Sequence, residues 1–258
     1  MILTCNIGKE FKEKLALQYS AIGLYHDNDK PQDALELKKP GQGCVMPFIF
    51  QSAKGKTFAF SENTMGFPCS AFYFGYKDWI FPGIEYFLSS GPFTGRECER
   101  FVKTPELTKQ YLEGIRMEKK TEGYTIIKPL ENFTENEVPE VVIFFANADQ
   151  ISALVFLAYY DAPESTDRVI TRFASACAST VMLPLQYGLK SEDKAVWGMH
   201  DISARAKLPK DLMTFALPFN FLKRIYENLN ESFLTTHQWD VIHNRIVKED
   251  KQGEQSLS

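Results

Sequence analysis

The spacing of apolar and polar positions along the chain predicts an alternation of helices and strands. In residues 7–20, Ile7, Phe11 and Leu15 recur at every fourth position with Lys and Glu between them, as in an amphipathic helix. The same reasoning predicts helices over 44–53, 69–76, 104–117, 175–187 and 219–229, and strands over 21–25, 57–60, 124–128, 168–173, 195–202 and 213–217. Because the two kinds of element alternate irregularly, the predicted fold class is α+β, a mixed β-sheet with helices packed on it.

The best-defined local unit is a strand followed by a helix. Residues 141–145 form a continuous apolar run, Val-Val-Ile-Phe-Phe, which is typical of a strand buried on both faces. Asn147 and Gln150 are spaced as the two members of a capping box, so a helix is predicted over 148–160. Its inward stripe is expected to contain Ile151, Leu154, Val155 and Ala158.

The segment 75–95 is rich in glycine, proline and aromatic residues. Its five large rings belong to Trp79, Phe81, Tyr86, Phe87 and Phe93. These are too many rings for an exposed loop of a soluble monomer, so we expect them to cover a pocket or to form a subunit contact. The sequence does not choose between these two roles.

Residues 1–247 are predicted to form a single α+β domain, and residues 248–258 a polar C-terminal tail. No apolar segment near the first residue is long enough for the core of a signal peptide, and the longest apolar run, 151–160, is half a membrane span. The five cysteines are odd in number and widely spaced, which disfavours a disulfide framework and favours a reducing compartment. We therefore expect a cytoplasmic protein that does not enter a membrane.

The charge balance excludes one class of partner. The chain has 29 Lys and Arg against 33 Asp and Glu, a net charge of −4, which gives no overall electrostatic footprint for nucleic acid. It also has neither the glycine pattern of a P-loop nor that of a dinucleotide-binding fold. The expected partner is a small molecule or a metal centre, and homo-oligomer formation is left open.

Three cysteines share a local context that favours a site. Cys44, Cys69 and Cys177 each follow a helix breaker or cap and fall in the first turn of a predicted helix. The positive end of the helix dipole stabilises a thiolate there, so a thiol pKa below the free value of about 8.5 is expected. Such thiols could bind a metal ion or an iron–sulfur cluster, act as nucleophiles, or accompany a site where an anion binds the helix termini. The alternative is that they are packing residues, because buried cysteine behaves as a small apolar side chain and no C-x-x-C pair occurs.

A polar cluster follows the predicted strand 195–202. His200 and Asp201 precede Arg205, whose guanidinium suits a carboxylate or a phosphate. The cluster could form the polar corner of a pocket, or it could simply be the end of a strand turning into solvent.

Short motifs in a fixed order run through most of the chain. They are Cys44 with Gly55-Lys56, Cys69-Ser70-Ala71 with Gly75, Lys128-Pro129-Leu130, Pro139-Glu140-Val141-Val142, Asn147-Ala148-Asp149-Gln150, Ala176-Cys177-Ala178 and Ala216-Leu217-Pro218. In order and spacing, over residues 8–230, they resemble the uncharacterised ArCR family (domain of unknown function 169). The family pattern includes cysteines that match Cys44, Cys69 and Cys177, which favours a shared thiol site, and Cys98 does not match it. The family usually has a glycine before the late arginine, a feature from which residues 200–205 depart.

The resemblance implies no established activity. Together with the residues, it leads to the prediction of a small cofactor or a metal or iron–sulfur centre at a site formed by Cys44, Cys69 and Cys177. His200 and Arg205 are the predicted cofactor-binding side chains. Two alternatives stay open: a thiol-dependent enzyme with a cysteine nucleophile, and a non-catalytic module that binds a small ligand.

Overall fold

The computed structural model describes residues 3–37, 43–93, 95, 97–115, 117 and 121–255, with side chains described through residue 249. The strands are β1 (Ile22–Asp27), β2 (Phe58–Ser61), β3 (Tyr124–Pro129), β4 (Val141–Ala146), β5 (Val169–Ile170), β6 (Ala195–Gly198) and β7 (Met213–Pro218). The helices are α1 (Leu3–Lys14), α2 (Met46–Ala53), α3 (Pro68–Tyr73), α4 (Ile84–Phe87), α5 (Pro105–Glu113), α6 (Ala148–Tyr159), α7 (Leu183–Leu189), α8 (Ile202–Arg205), α9 (Phe219–Glu227) and α10 (His237–Gln255).

The strands form one mixed sheet in the order β2-β3-β1-β4-β7-β6-β5. Neighbouring strands are antiparallel except for β5 and β6, which are parallel. The predicted α+β fold, a mixed sheet with helices packed on it, is therefore confirmed. The division into a domain of residues 1–247 and a tail stays a prediction, although α10 continues as a helix through Gln255.

Helices cover both faces of the sheet, and the central strand β4 contributes side chains to the apolar core on each face. Every residue of β4 is buried, and successive side chains point to opposite faces. Val142 and Phe144 join an apolar core with α1, α6, α9 and α10, whereas Ile143 and Phe145 join a second core with α2, α3, α4 and part of α7. This second face carries the cavity described below.

The predicted unit of β4 and α6 is confirmed. The Gln150 backbone N–H donates to Asn147 Oδ1 at 3.0 Å, and the Asn147 backbone N–H donates to Gln150 Oε1 at 2.9 Å. The inward stripe of α6 contains Ile151, Leu154 and Ala158 as predicted, and also Leu157. Val155, by contrast, is half-buried.

An ion pair between a buried lysine and a half-buried glutamate joins the first half of the sheet to the segment that precedes β4. Lys128 Nζ on β3 donates to Glu137 Oε1 at 2.6 Å and to Oε2 at 2.7 Å. The Tyr25 hydroxyl on β1 donates to the same carboxylate at 2.5 Å, and the Thr134 backbone N–H donates at 2.8 Å. The Lys128 ammonium also lies 4.9 Å from the centroid of the Phe133 ring. The pair thus fixes where the chain enters β4.

The second half of the chain departs from the predicted elements in three places. The strand predicted over 168–173 is reduced to β5, and the strand predicted to reach residue 202 ends at Gly198. It ends there because the buried Met199 has a positive φ of 69°, a conformation that a strand cannot contain. The helix predicted over 175–187 includes a π-helical turn, Ala178–Met182, and Gly188 lies inside α7 rather than beyond its end.

Within the described part of the chain, no helix combines the length and the apolarity that a membrane span requires.

Candidate functional site

A cavity of about 600 Å³ opens on the second face of the sheet. Its walls come from residues 43 and 44 before α2, from α3 and α4, from Tyr111 of α5, from the segment 173–177, and from residues 200–203 and 207. Its apolar lining consists chiefly of Ile80, Phe81, Phe87, Leu88, Phe101, Phe173, Ala174 and Ala176. A cavity of this size, mostly apolar with a few polar groups, is typical of small-molecule sites.

The structure brings Cys44, Cys69 and Cys177 to the wall of this one cavity. Cys44 lies two residues before α2, Cys69 lies in the first turn of α3, and Cys177 precedes the π-helical turn. Cys177 Sγ is 3.4 Å from Ser70 Oγ. Cys5 and Cys98 are not among the described residues that line the cavity.

The expected lowering of the thiol pKa values is wrong for two of these cysteines. Burial raises the pKa of the Cys44 thiol, although a hydrogen bond from the Met46 backbone N–H and the charge of Lys207 oppose the rise. Burial also raises the pKa of Cys177 well above its ordinary value, and the neighbouring Cys44 adds to the effect. The loss of hydration in an apolar wall outweighs the helix dipole, so both thiols are neutral near pH 7.

The rate at which iodoacetamide alkylates each cysteine should fall as the burial of its thiol increases. At pH 7 we expect Cys177 to be the slowest of the five cysteines, because its thiolate is both rare and inaccessible, and Cys98 to react faster than Cys44. Mass spectrometry of tryptic peptides after timed quenching would measure the individual rates. Preferential labelling of Cys177 at pH 7 would contradict the neutral thiol and favour a nucleophilic role.

The predicted metal role of the cysteines has no geometric support in the described part of the chain. Among those residues, no group of three or more His, Cys, Asp or Glu side chains has the arrangement needed to hold a metal ion. The metal or iron–sulfur centre stays a prediction.

The two other predicted site residues have different placements. His200 does line the cavity, but it is exposed, and its Nε2 lies 3.2 Å from the Trp197 carbonyl oxygen. Arg205 is not among the described lining residues. Its guanidinium donates to the carbonyl oxygens of Leu212, Lys210 and Pro209, where it closes the turn before β7. The geometry therefore gives Arg205 a structural role, and its role in cofactor binding stays a prediction.

Sequence reasoning missed the tyrosine pair of the cavity wall. The Tyr111 hydroxyl oxygen accepts the Ser175 backbone N–H at 3.3 Å, and the Tyr111 ring packs edge-on against Phe173 with centroids 5.0 Å apart. Burial, followed by the hydroxyl of Tyr111, raises the pKa of Tyr73 well above its ordinary value, whereas the Ser175 side chain opposes the rise. No sequence signal separates these two tyrosines from others in the chain.

Asp201, which the sequence places only beside His200, organises the site. Its Oδ2 accepts the Ala176 backbone N–H at 3.0 Å, and its Oδ1 accepts the Ser203 backbone N–H at 3.0 Å and the Ser203 hydroxyl at 2.7 Å. One carboxylate thus caps α8 and fixes the segment before Cys177. An aspartate at a helix N-cap was the available signal.

The aromatic segment 75–95 covers a pocket, which is one of the two roles predicted for it. Phe81 and Phe87 line the cavity, and Phe93 packs on both, with centroid distances of 5.9 Å to Phe81 and 5.1 Å to Phe87. Trp79 is partly exposed and donates its indole N–H to the Phe81 carbonyl oxygen. The alternative role in a subunit contact stays a prediction.

Comparison with known proteins agrees with the predicted resemblance. The model of the uncharacterised ArCR family, domain of unknown function 169, matches residues 10–228, a segment that contains all the described residues of the cavity wall. No curated protein and no solved structure matches the chain. Because the family model covers most of the sequence, the chain belongs to the uncharacterised ArCR family.

Proposed function

We propose that this protein binds a small organic molecule with a largely apolar body, a cofactor or a substrate, in the cavity that Cys44, Cys69 and Cys177 line. The observation that supports the proposal is the cavity itself. Its volume of about 600 Å³ lies within the range of small-molecule sites. Phe81 and Phe87 supply flat apolar surfaces to its wall, and Tyr111 and Asp201 supply polar groups.

The thiols take part in this proposal as neutral, polarisable wall groups. Burial raises the pKa values of Cys44 and Cys177, which disfavours a thiolate nucleophile at neutral pH. Binding is therefore favoured over thiol-dependent catalysis. A metal or iron–sulfur centre would be recognised by elemental analysis and by visible absorption of protein purified without oxygen.

Titration with N-phenyl-1-naphthylamine tests the proposal, because this neutral apolar probe fluoresces when it leaves water. We expect saturable binding of one probe per chain. Cys69→Phe, which places a ring in the cavity, should weaken binding at least about tenfold. The matched control is Cys98→Phe, the same change outside the described wall, which should bind like the wild type.

Two outcomes would contradict the proposal. One is the absence of saturable binding by the wild type, and the other is equal binding by the two phenylalanine variants. Circular dichroism and the thermal midpoint of each variant would show that a loss of binding does not come from a loss of folding.

The cytoplasm is the compartment that fits this proposal. All five cysteines lie in the described part of the chain, and none of them forms a disulfide, as expected where thiols are kept reduced. Fractionation of cells with an antibody to the protein would test the location, and recovery outside the cytoplasmic fraction would contradict it.

A further inference from the structure

We propose that the ligand carries a carboxylate group, which binds the Lys207 ammonium and the Tyr111 hydroxyl in the wall of the cavity. This inference rests on the proposed function and specifies the chemical class of its ligand, an organic acid with an apolar body. Three features of the described residues support it.

The first feature is an ammonium group without a carboxylate partner. Lys207 lines the cavity and is exposed, so its charge lies at the mouth rather than in the interior. Among the described residues it forms no ion pair, although ion pairs occupy other lysines such as Lys128 and Lys194. Its charge also acts on the Cys44 thiol. An anion at this mouth would find a cation that no described side chain neutralises.

The second feature is the hydroxyl of Tyr111, whose hydrogen-bonding capacity is only partly used. A phenol has one hydrogen to donate and oxygen lone pairs that accept. The oxygen accepts the Ser175 backbone N–H at 3.3 Å. Burial raises the pKa of both Tyr73 and Tyr111, and the neighbouring Tyr111 hydroxyl adds to the rise of the Tyr73 pKa. The hydrogen of Tyr111 has no acceptor among the described residues, so an acceptor atom of the ligand can take it.

The third feature is that the carboxylates of the wall already have partners. Asp201 accepts hydrogen bonds from the backbone N–H groups of Ala176 and Ser203 and from the Ser203 hydroxyl. Glu99 also takes part in an interaction of its own. Asp201 is therefore already engaged, and among the described residues no ion pair joins Lys207 to a carboxylate of the wall. Arg172 adds positive charge close to the Tyr111 hydroxyl.

These donors suit a carboxylate in particular. One ammonium balances its single charge, and one neutral hydroxyl supplies a donor to an oxygen lone pair. The Phe81 and Phe87 rings in the wall of the same cavity would contact the apolar body of the molecule. The site therefore selects for an acid group at one end of the ligand and an apolar group at the other.

Displacement of bound N-phenyl-1-naphthylamine by decanoate and by 1-decanol tests the inference, because the two compounds share an apolar chain and differ in the charged group. Below the concentration at which decanoate self-associates, we expect decanoate to compete at least about tenfold better than 1-decanol. Lys207→Gln should remove this preference, so that decanoate and 1-decanol displace the probe from the variant equally well. Tyr111→Phe, which keeps the ring against Phe173, should reduce the preference by a smaller factor.

The matched control is Lys210→Gln, the same change at an exposed lysine that is not among the described wall residues. It should leave the preference for decanoate intact. Equal competition by the two compounds against the wild type, or an unchanged preference in Lys207→Gln, would overturn the carboxylate inference while probe binding still supported the proposed function. A wild type that does not bind the probe would instead overturn the proposed function, and this inference with it.

Discussion

Replacing Leu154 by alanine is expected to lower the free energy of unfolding by about 2–5 kcal/mol. The side chain is 1% exposed and packs in the core between α6 and the sheet, next to β4. Removing its outer carbons loses apolar burial and leaves a cavity that a close-packed core fills only in part. Urea denaturation followed by circular dichroism would measure the change.

The matched control lies on the same helix. Phe156 is 70% exposed, so Phe156→Ala should change the free energy of unfolding by no more than about 0.5 kcal/mol. A loss below about 0.5 kcal/mol for Leu154→Ala would contradict the packing of α6 on the sheet.

Glu137→Gln is expected to cost about 3–5 kcal/mol, because it leaves the ammonium of Lys128 buried without a counter-charge. The Lys128 side chain is 4% exposed, so water cannot replace the lost carboxylate. The double variant Lys128→Met, Glu137→Leu removes both charges and should recover much of the loss. A double variant as unstable as Glu137→Gln would show that the cost does not come from the unpaired charge.

The same pair predicts how stability depends on pH. Burial favours the protonated form of Glu137, but hydrogen bonds from Lys128, Tyr25 and Thr134 outweigh it and lower its pKa from 4.5 to about 2. A carboxyl group with a lowered pKa stabilises the folded state fully above the unfolded pKa, and this stabilisation is lost as the pH falls through the folded pKa. We therefore expect about 3 kcal/mol of stability to disappear between about pH 5 and pH 2. The free energy of unfolding of Glu137→Gln, measured as the pH is lowered, should lack this part of the decrease. Identical pH dependence in the variant and the wild type would contradict the assignment of the decrease to Glu137.

The elements that sequence reasoning predicted correctly are those in which local pattern and tertiary burial coincide. In β4 every residue is apolar and every residue is buried, and the Asn147 and Gln150 caps act between neighbouring residues. Cys44, Cys69 and Cys177 could be singled out because each is predicted at the start of a helix; all three line the cavity, and their role in a site stays a prediction.

The remaining features depend on contacts between distant residues. The strand β6 ends early because Met199 takes a positive φ, and nothing in the local residues demands that conformation. The tyrosine pair forms between residues 73 and 111, which no periodicity connects. The direction of the cysteine pKa shifts was wrong because a helix position is visible in a sequence, whereas the loss of water around a side chain is a property of the assembled fold.

The π-helical turn Ala178–Met182 allows the side chains before it and the side chains after it to face directions that one continuous α-helix could not combine. Such a turn accommodates one residue more than an α-helical turn, so it resets the angular phase between the segments on its two sides. The N-terminal side presents Cys177 to the cavity, and the C-terminal side, α7, packs against β4 and β7. Deletion of a single residue here would rotate one side by about 100° relative to the other, given 3.6 residues per α-helical turn. The chain could then keep its sheet contacts or its cysteine in the cavity, but not both.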